Sequence, residues 1–125
     1  MINHELNILF KAQYVHVGCW NSHSNAVSYP VWDLEGKDDR LDDTYYKPNP
    51  IQYVSKTRDN PIQTCYEVAR DRGYNYFGVN NGGWCMGSYD AEFHYKIHGK
   101  RTNCKDGKGG QWSNDMYFIV QDPSK

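Results

Sequence analysis

Nowhere does this chain carry the run of about twenty apolar residues that a membrane-spanning helix needs. The apolar stretch at 7–10 is far too short. No C-x-x-C pair occurs, which removes zinc-knuckle and thioredoxin-like readings. Asn-x-Ser/Thr is missing, so no N-glycan is expected. No secretory leader is visible, so a secreted form would be a mature one. Neither sign of charge is in excess: the net charge is −1, and no basic stripe points to nucleic acid.

Catalytic signatures are also lacking. "GKGG" has neither the spacing nor the strand-to-helix setting of a phosphate loop. There is no G-x-S-x-G elbow. The carboxylates crowd one solvated stretch, and no pair stands out as a glycosidase acid and nucleophile. A non-enzymatic chain is the expectation.

Aliphatic residues are scarce: hydrophobic content is 38% and mean hydropathy −0.89. Aromatic residues are not scarce, with 11 Tyr, 4 Trp and 4 Phe in 125 residues. Disorder goes with few aromatics and high net charge, so this chain should fold, as one domain with a small core of rings. Residues 1–12 read as an N-terminal arm and 13–121 as the core.

The four cysteines are Cys19, Cys65, Cys85 and Cys104. An even, widely spaced set fits two disulfides in an extracellular domain better than free buried thiols. Three pairings are open; the favoured one joins Cys65 to Cys85, helix to following strand, and Cys19 to Cys104, early chain to late.

Along the chain, 13–20 (QYVHVGCW) alternates as a strand, with Val15, Val17 and Cys19 on one face and Tyr14, His16 and Trp20 on the other. "NSHSN" is loop chemistry, 31–34 (VWDL) a short strand or turn, and 37–50 a long acidic surface loop. A helix is predicted over 61–72, with Asn60 as N-cap, Pro61 first, a capping box through Gln63 and Gly73 as the stop. Strands at 74–79 and 84–86 flank an NNGG turn. The segment 88–99 is read as a two-turn helix capped by Ser88 or Asp90, in preference to a strand. "NCKDGKGGQ" is a glycine-rich loop, and 115–120 is the most apolar strand, central in the sheet. The fold class is therefore α+β: a small, mostly antiparallel sheet with one main helix packed on it and two disulfides.

In order, "VGCW", "LEGKDDRLDD", "NPIQTCYEVARDRGYNYFGVNNGGWC" and "GKGGQWSNDMYFI" resemble a cysteine-containing extracellular module repeated in secreted and surface proteins of marine invertebrates. The pattern is similar to WSC domains: G-C-W near the start, a cysteine-bearing helix, then G-Y-x-x-F-G-V before another cysteine. WSC domains in turn resemble PAN/apple modules. The similarity spans about residues 14 to 120, and this chain has fewer cysteines than WSC domains usually carry. It implies an extracellular, lectin-like or adhesive module.

Sugar recognition needs a ring face for the apolar side of a pyranose and planar polar groups for paired hydroxyls. Three loops offer that mixture: Trp84 with Asn80 and Asn81, Trp112 with Asn114 and Asp115, and Tyr89 with Asp90. Each residue also has a purely structural use. Trp84 can cover a bridge, the asparagines can serve turn geometry, Trp112 can lid the core, and Asp115 can pair with a buried partner. The sequence-based expectation is a secreted, non-catalytic carbohydrate-binding module whose partners are glycans or glycoproteins. A protein-binding adhesion or matrix module, and a defence or toxin protein using glycan recognition, are the alternatives. A homo-oligomer or tandem array would supply avidity. No cofactor is expected. Calcium through "DLEGKDDRLDD" or Asn114 and Asp115 is a lesser option, although the loop lacks EF-hand order, and His94 with His98 has no third ligand for zinc.

Overall fold

The computed structural model describes residues 12–22, 30–41 and 58–121. The 1–11 part of the expected 1–12 arm, the 23–25 part of the "NSHSN" loop and the 42–50 part of the acidic loop lie outside the described residues. Four strands, β1 (Tyr14–Asn21), β2 (Tyr76–Asn80), β3 (Trp84–Gly87) and β4 (Ser113–Ile119), form one sheet in the order β1-β4-β2-β3. Every pairing is antiparallel. Helix α1 spans Pro61–Asp71 and α2 is a single turn, Ala91–His94. A 3-10 turn covers Asp39–Leu41. The α+β expectation holds, and the apolar C-terminal strand is central.

Alternation along the strands sends side chains to two covered faces. On the α1 side Phe77, Val79, Tyr117 and Ile119 meet Cys65, Tyr66, Val68 and Ala69 of the helix. Rings fill this layer: Phe77 stacks on Tyr117 at 4.9 Å, and Tyr14 stands edge-on to both. Opposite them Trp20, Met86 and Met116 pack beneath Val31, Ala91 and Tyr95. Few aliphatic residues suffice because each ring removes so much apolar surface from water.

Strand β1 departs from simple alternation. Its register slips between His16 and Gly18, so Val17 is the extra residue of a β-bulge. Tyr14 therefore packs on the α1 side, whereas Trp20 joins Val17 in the opposite layer. That corrects the expectation that Tyr14, His16 and Trp20 share a face. Gly18 holds the bulge at φ 123°, where a Cβ would sit 2.7 Å from the Trp20 indole nitrogen.

Helix α1 begins at Pro61, but its expected capping box does not form. Asn60 lies in the left-handed region and makes no side-chain cap. A capping residue ordinarily has extended backbone, and at φ 50°, ψ 53° the Asn60 side chain is not carried over the first turn. Gln63 instead donates to Gln13 and Glu67 and accepts from the Tyr14 hydroxyl. The other end closes as expected: the Gly73 N–H donates to Arg70 and the Tyr74 N–H to Ala69, a Schellman motif with Gly73 at φ 79°.

The 88–99 segment is helical rather than extended, yet shorter than expected, turning out of α2 to Gly99. Asp90 makes no side-chain cap, and the buried Ser88 hydroxyl has no partner among the described residues. Between β2 and β3 the turn is 81–83, because Asn80 is still paired with Trp84. The free edge of β3 is covered by 32–34: Leu34 N–H donates to Cys85 O, and Gly87 N–H to Trp32 O.

Both favoured disulfides are present. Cys65–Cys85 ties α1 to β3 inside the core, and Cys19–Cys104 ties β1 to the loop that follows α2. Two ion-pair clusters add to them. Glu35 and Arg58 form a buried bidentate pair at 2.8 and 2.7 Å, and Glu35 also accepts the Cys85 N–H at 2.8 Å. Nearer the surface, the Arg40 guanidinium grips Asp38 and reaches Asp71 at the end of α1 at 2.8 Å.

The hydrogen bond from Arg40 holds the Asp38 carboxyl down at about 2, below its ordinary value of 3.8. A carboxyl lowered in the folded state contributes stability above the unfolded value and loses it as pH falls through the folded one. Asp38→Asn should therefore cost at most about 1 kcal/mol at neutral pH, given solvent screening. The cost should shrink between pH 4 and 2, read as the gap between variant and parent denaturant melts.

Candidate functional site

At the end of the sheet where β2 turns into β3, one register position crosses all four strands: Trp20, Asn114, Asn80 and Trp84 stand side by side. The polar members are tied to one another and to the scaffold. Asn80 Nδ2 donates to Asn114 Oδ1 at 2.7 Å and to the Ser22 hydroxyl at 3.0 Å. The Trp84 indole N–H donates to Asp33 Oδ1 at 2.6 Å. On the opposite face Asp115 binds His16 Nε2 at 2.6 Å and accepts the Gly109 N–H at 2.8 Å.

Asn114 and Asp115 are only 2% and 3% exposed. Their side chains are spent inside the protein, so they act as supports and not as ligand contacts, a correction to their expected role. Buried carboxamides and carboxylates are stable only when their bonds are made, and here they are made by strand and loop partners. Tyr89 and Asp90 need a different correction. They follow β3 at its far end, roughly 10 Å along the strand from Trp84 at about 3.3 Å per residue. Tyr89 is 74% exposed, edge-on to Tyr74, and Asp90 lies 3.5 Å from His94. Two of the three expected loops meet; the third does not join them.

Where those two loops meet there is an open groove of about 550 Å³. One wall is the hairpin turn, Asn81 and Gly82; the other is the loop at 103–111, contributing Asn103, Lys105, Asp106, Lys108 and Gln111. Except for Asn81, none of these stands out in the sequence, where the loop reads only as a glycine-rich connection. The signal that could have found them is lysine and carboxamide interleaved with glycine between a cysteine and a tryptophan.

The long loop is held by many backbone bonds. Gly82 N–H donates to Lys108 O at 2.7 Å, Asn81 N–H to Gly110 O at 3.2 Å, and Lys105 N–H to Gly109 O at 3.1 Å. Asn103 Nδ2 donates to Gln111 O, and the Tyr117 hydroxyl donates to Gly107 O at 2.6 Å. Burial, with the Asp115 carboxylate adding to it, pushes the Tyr117 hydroxyl above its ordinary range, so it stays a donor across the physiological range. Cys104, beside Asn103 and Lys105, bolts the loop to β1.

Strain gathers at the same place. Among the described residues four that are not glycine have positive φ; two of them, Asn81 and Asp106, line this groove, and a third, Trp112, follows it in sequence. Asn and Asp tolerate the left-handed region, but it costs most other residues on the order of 1–2 kcal/mol, and a tryptophan there is unusual. Trp112 at φ 58° directly follows the groove residue Gln111, is 45% exposed, and accepts the Ser22 N–H on its carbonyl. The side chains of Asn81, Lys105, Asp106, Lys108 and Gln111 make no hydrogen bond or ion pair among the described residues. The arrangement is a channel held by backbone bonds, with unspent donors and acceptors along it and a half-exposed tryptophan next in sequence.

No group of three or more His, Cys, Asp or Glu side chains gathers as a metal site among the described residues. Of the acidic stretch considered for calcium, Asp33, Glu35 and Asp38 are engaged with Trp84, Arg58 and Arg40, while residues 42 and 43 lie outside the described residues. No described helix is long and apolar enough to cross a membrane. Comparison with family models, curated proteins and solved structures gives no match to this chain.

Proposed function

We propose that the chain is a non-catalytic carbohydrate-binding module of the extracellular space, and that it binds a glycan in the groove between the hairpin turn and the 103–111 loop. The observation that carries this reading is the channel of unspent carboxamides, followed directly in sequence by the half-exposed Trp112 in a strained left-handed conformation. Strain of that kind persists only where the surroundings over-determine it, and it concentrates at binding sites. An exposed ring together with polar groups suits the two-sided chemistry of a sugar. The two disulfides fit an oxidising compartment, and the resemblance to WSC domains points the same way.

Titration of tryptophan fluorescence with oligosaccharides tests this. Saturable binding is expected, and Trp112→Ala should weaken it roughly tenfold, the worth of one good ring contact. Tyr89→Ala, altered at the far end of β3, should leave affinity unchanged. A flat response across a broad glycan array would sink the proposal.

One observation favours a second reading, a protein-binding adhesion module. Trp32, Tyr89, Phe93 and Ile97 are all more than half exposed. Exposed aromatics of this kind serve as anchors in protein interfaces. That reading predicts the opposite pattern: a partner captured independently of sugars, with affinity sensitive to Tyr89→Ala and indifferent to Trp112→Ala.

A further inference from the structure

Resting on the carbohydrate reading of the same groove, we infer that its ligand is an acidic glycan, a saccharide bearing sulfate or carboxylate groups. The chain as a whole is slightly acidic, at net charge −1. The segment 100–111 is the reverse: Lys100, Arg101, Lys105 and Lys108 stand against Asp106 alone. Two of these cations are already engaged. Lys100 Nζ lies 5.6 Å from the Trp20 ring, and Arg101 reaches the Gln111 carbonyl at 3.5 Å. The other two, Lys105 and Lys108, line the groove with no acidic partner among the described residues.

Their backbone is fixed. Lys108 N–H donates to Lys105 O at 3.0 Å, and Lys108 O accepts from Gly82 across the groove. Two ammonium groups on a rigid loop attract an anion without first paying to order the chain. Between them, Asp106 and Gly107 adopt consecutive positive φ values, 58° and 73°, and their N–H groups donate to no described residue. Backbone amides in such turns add partial positive charge to an anion site. An ammonium group can donate to a neutral hydroxyl, but two of them gain most from an anion, where the hydrogen bond is charge-assisted on both sides. Asn81, Gln111 and the Asp106 carboxylate remain for the uncharged part of the sugar.

The experiment is a fluorescence titration of the whole protein with a heparin hexasaccharide (sulfate and carboxylate), a hyaluronan hexasaccharide (carboxylate alone) and neutral maltohexaose. One or both acidic probes should bind at least roughly tenfold more tightly than the neutral one, and the preference should fall as salt rises. The two acidic arms separate sulfate from carboxylate recognition. Lys105→Gln/Lys108→Gln should abolish the preference, so that acidic and neutral probes bind that variant alike, whereas Lys105→Arg/Lys108→Arg keeps the preference. Lys37→Gln, an exposed lysine outside the groove, should change nothing. Equal affinity for acidic and neutral probes would overturn the inference and leave the sugar-binding reading standing. An undiminished preference in the double Gln variant, or an equal loss in Lys37→Gln, would likewise overturn it. Failure of all three probes, with a flat glycan array, would remove both.

Discussion

Glu35→Ala is expected to lose about 3–5 kcal/mol of folding stability, the range for removing one partner of a buried ion pair. Three bonds go at once. The carboxylate holds the Arg58 guanidinium through both oxygens, and Oε2 also accepts the N–H of Cys85, a residue with no exposure at all. The truncation leaves a buried guanidinium without its carboxylate and a buried amide without its acceptor, and a methyl side chain replaces neither. Glu35→Gln keeps the volume and one acceptor oxygen but still leaves the guanidinium without a carboxylate and sets an amide NH2 against one of its N–H groups. It should therefore cost less than Glu35→Ala yet fall at the lower end of the same range. Burial pushes the Glu35 carboxyl above its ordinary value, with Arg58 and the Cys85 N–H pulling the other way. A carboxyl raised in the fold contributes most below its unfolded value and less as pH rises through the folded one. The gap between parent and Glu35→Ala should therefore narrow, not widen, from mildly acid to neutral pH. Denaturant melts at several pH values read both results. A cost under about 1 kcal/mol at every pH would mean that the pair does not form.

Much of this architecture can be read from the chain because local signals agree. Proline at the start of α1, the apolar stripe through Cys65, Tyr66 and Ala69, and Gly73 at its end all specify the same helix. The spacing from that helix to "GGWC" makes Cys65–Cys85 the natural bridge. The bulge in β1 is harder to see, since Gly18 inside an alternating run is its only local sign and the slipped register is fixed by β4. Asn60 has the residue type of a cap, yet its backbone is left-handed and not extended, and residue type alone does not reveal that.

The site is legible in residue types and not in geometry. Asn80, Asn81, Trp84, Trp112, Asn114 and Asp115 do gather at one end of the sheet, as their loops suggest. Sequence does not say which of a cluster of polar residues touches solvent. Asn114 and Asp115 sit on the central strand, where both faces are covered, so their groups bind Asn80, His16 and Gly109. The groove itself is made by backbone bonds between two loops far apart in the chain. No periodicity or motif encodes such contacts, and Lys105, Lys108 and Gln111 therefore read as nothing more than loop.

The glycine on which those contacts turn is Gly109, and Gly109→Ala should cost about 2–5 kcal/mol and disable the groove. A Cβ there would lie 2.3 Å from the Val79 carbonyl, 2.7 Å from Asn80 Cα and 2.7 Å from the Ser113 carbonyl. All three are backbone atoms of β2 and β4 and cannot swing aside. The residue also holds φ 79°, its N–H is the one that Asp115 accepts, and its carbonyl takes the Lys105 N–H. The left-handed conformation alone costs alanine about 1–2 kcal/mol, and overpacking a fixed site adds about 1–3 kcal/mol. Gly73→Ala separates the two terms, because Gly73 shares φ 79° but has nothing within 4 Å of its Cβ position. That variant should lose only the conformational part, about 1–2 kcal/mol, and keep the loop intact. Gly109→Ala has a second way out: the loop can lift off the sheet, relieving the clash while β2 and β4 stay paired. In that case the melt shifts by less than the full cost, but the oligosaccharide titration goes flat. Parent-like stability together with parent-like binding would show that the loop does not rest on β2 and β4 at all, and the groove would have to be abandoned as a binding site.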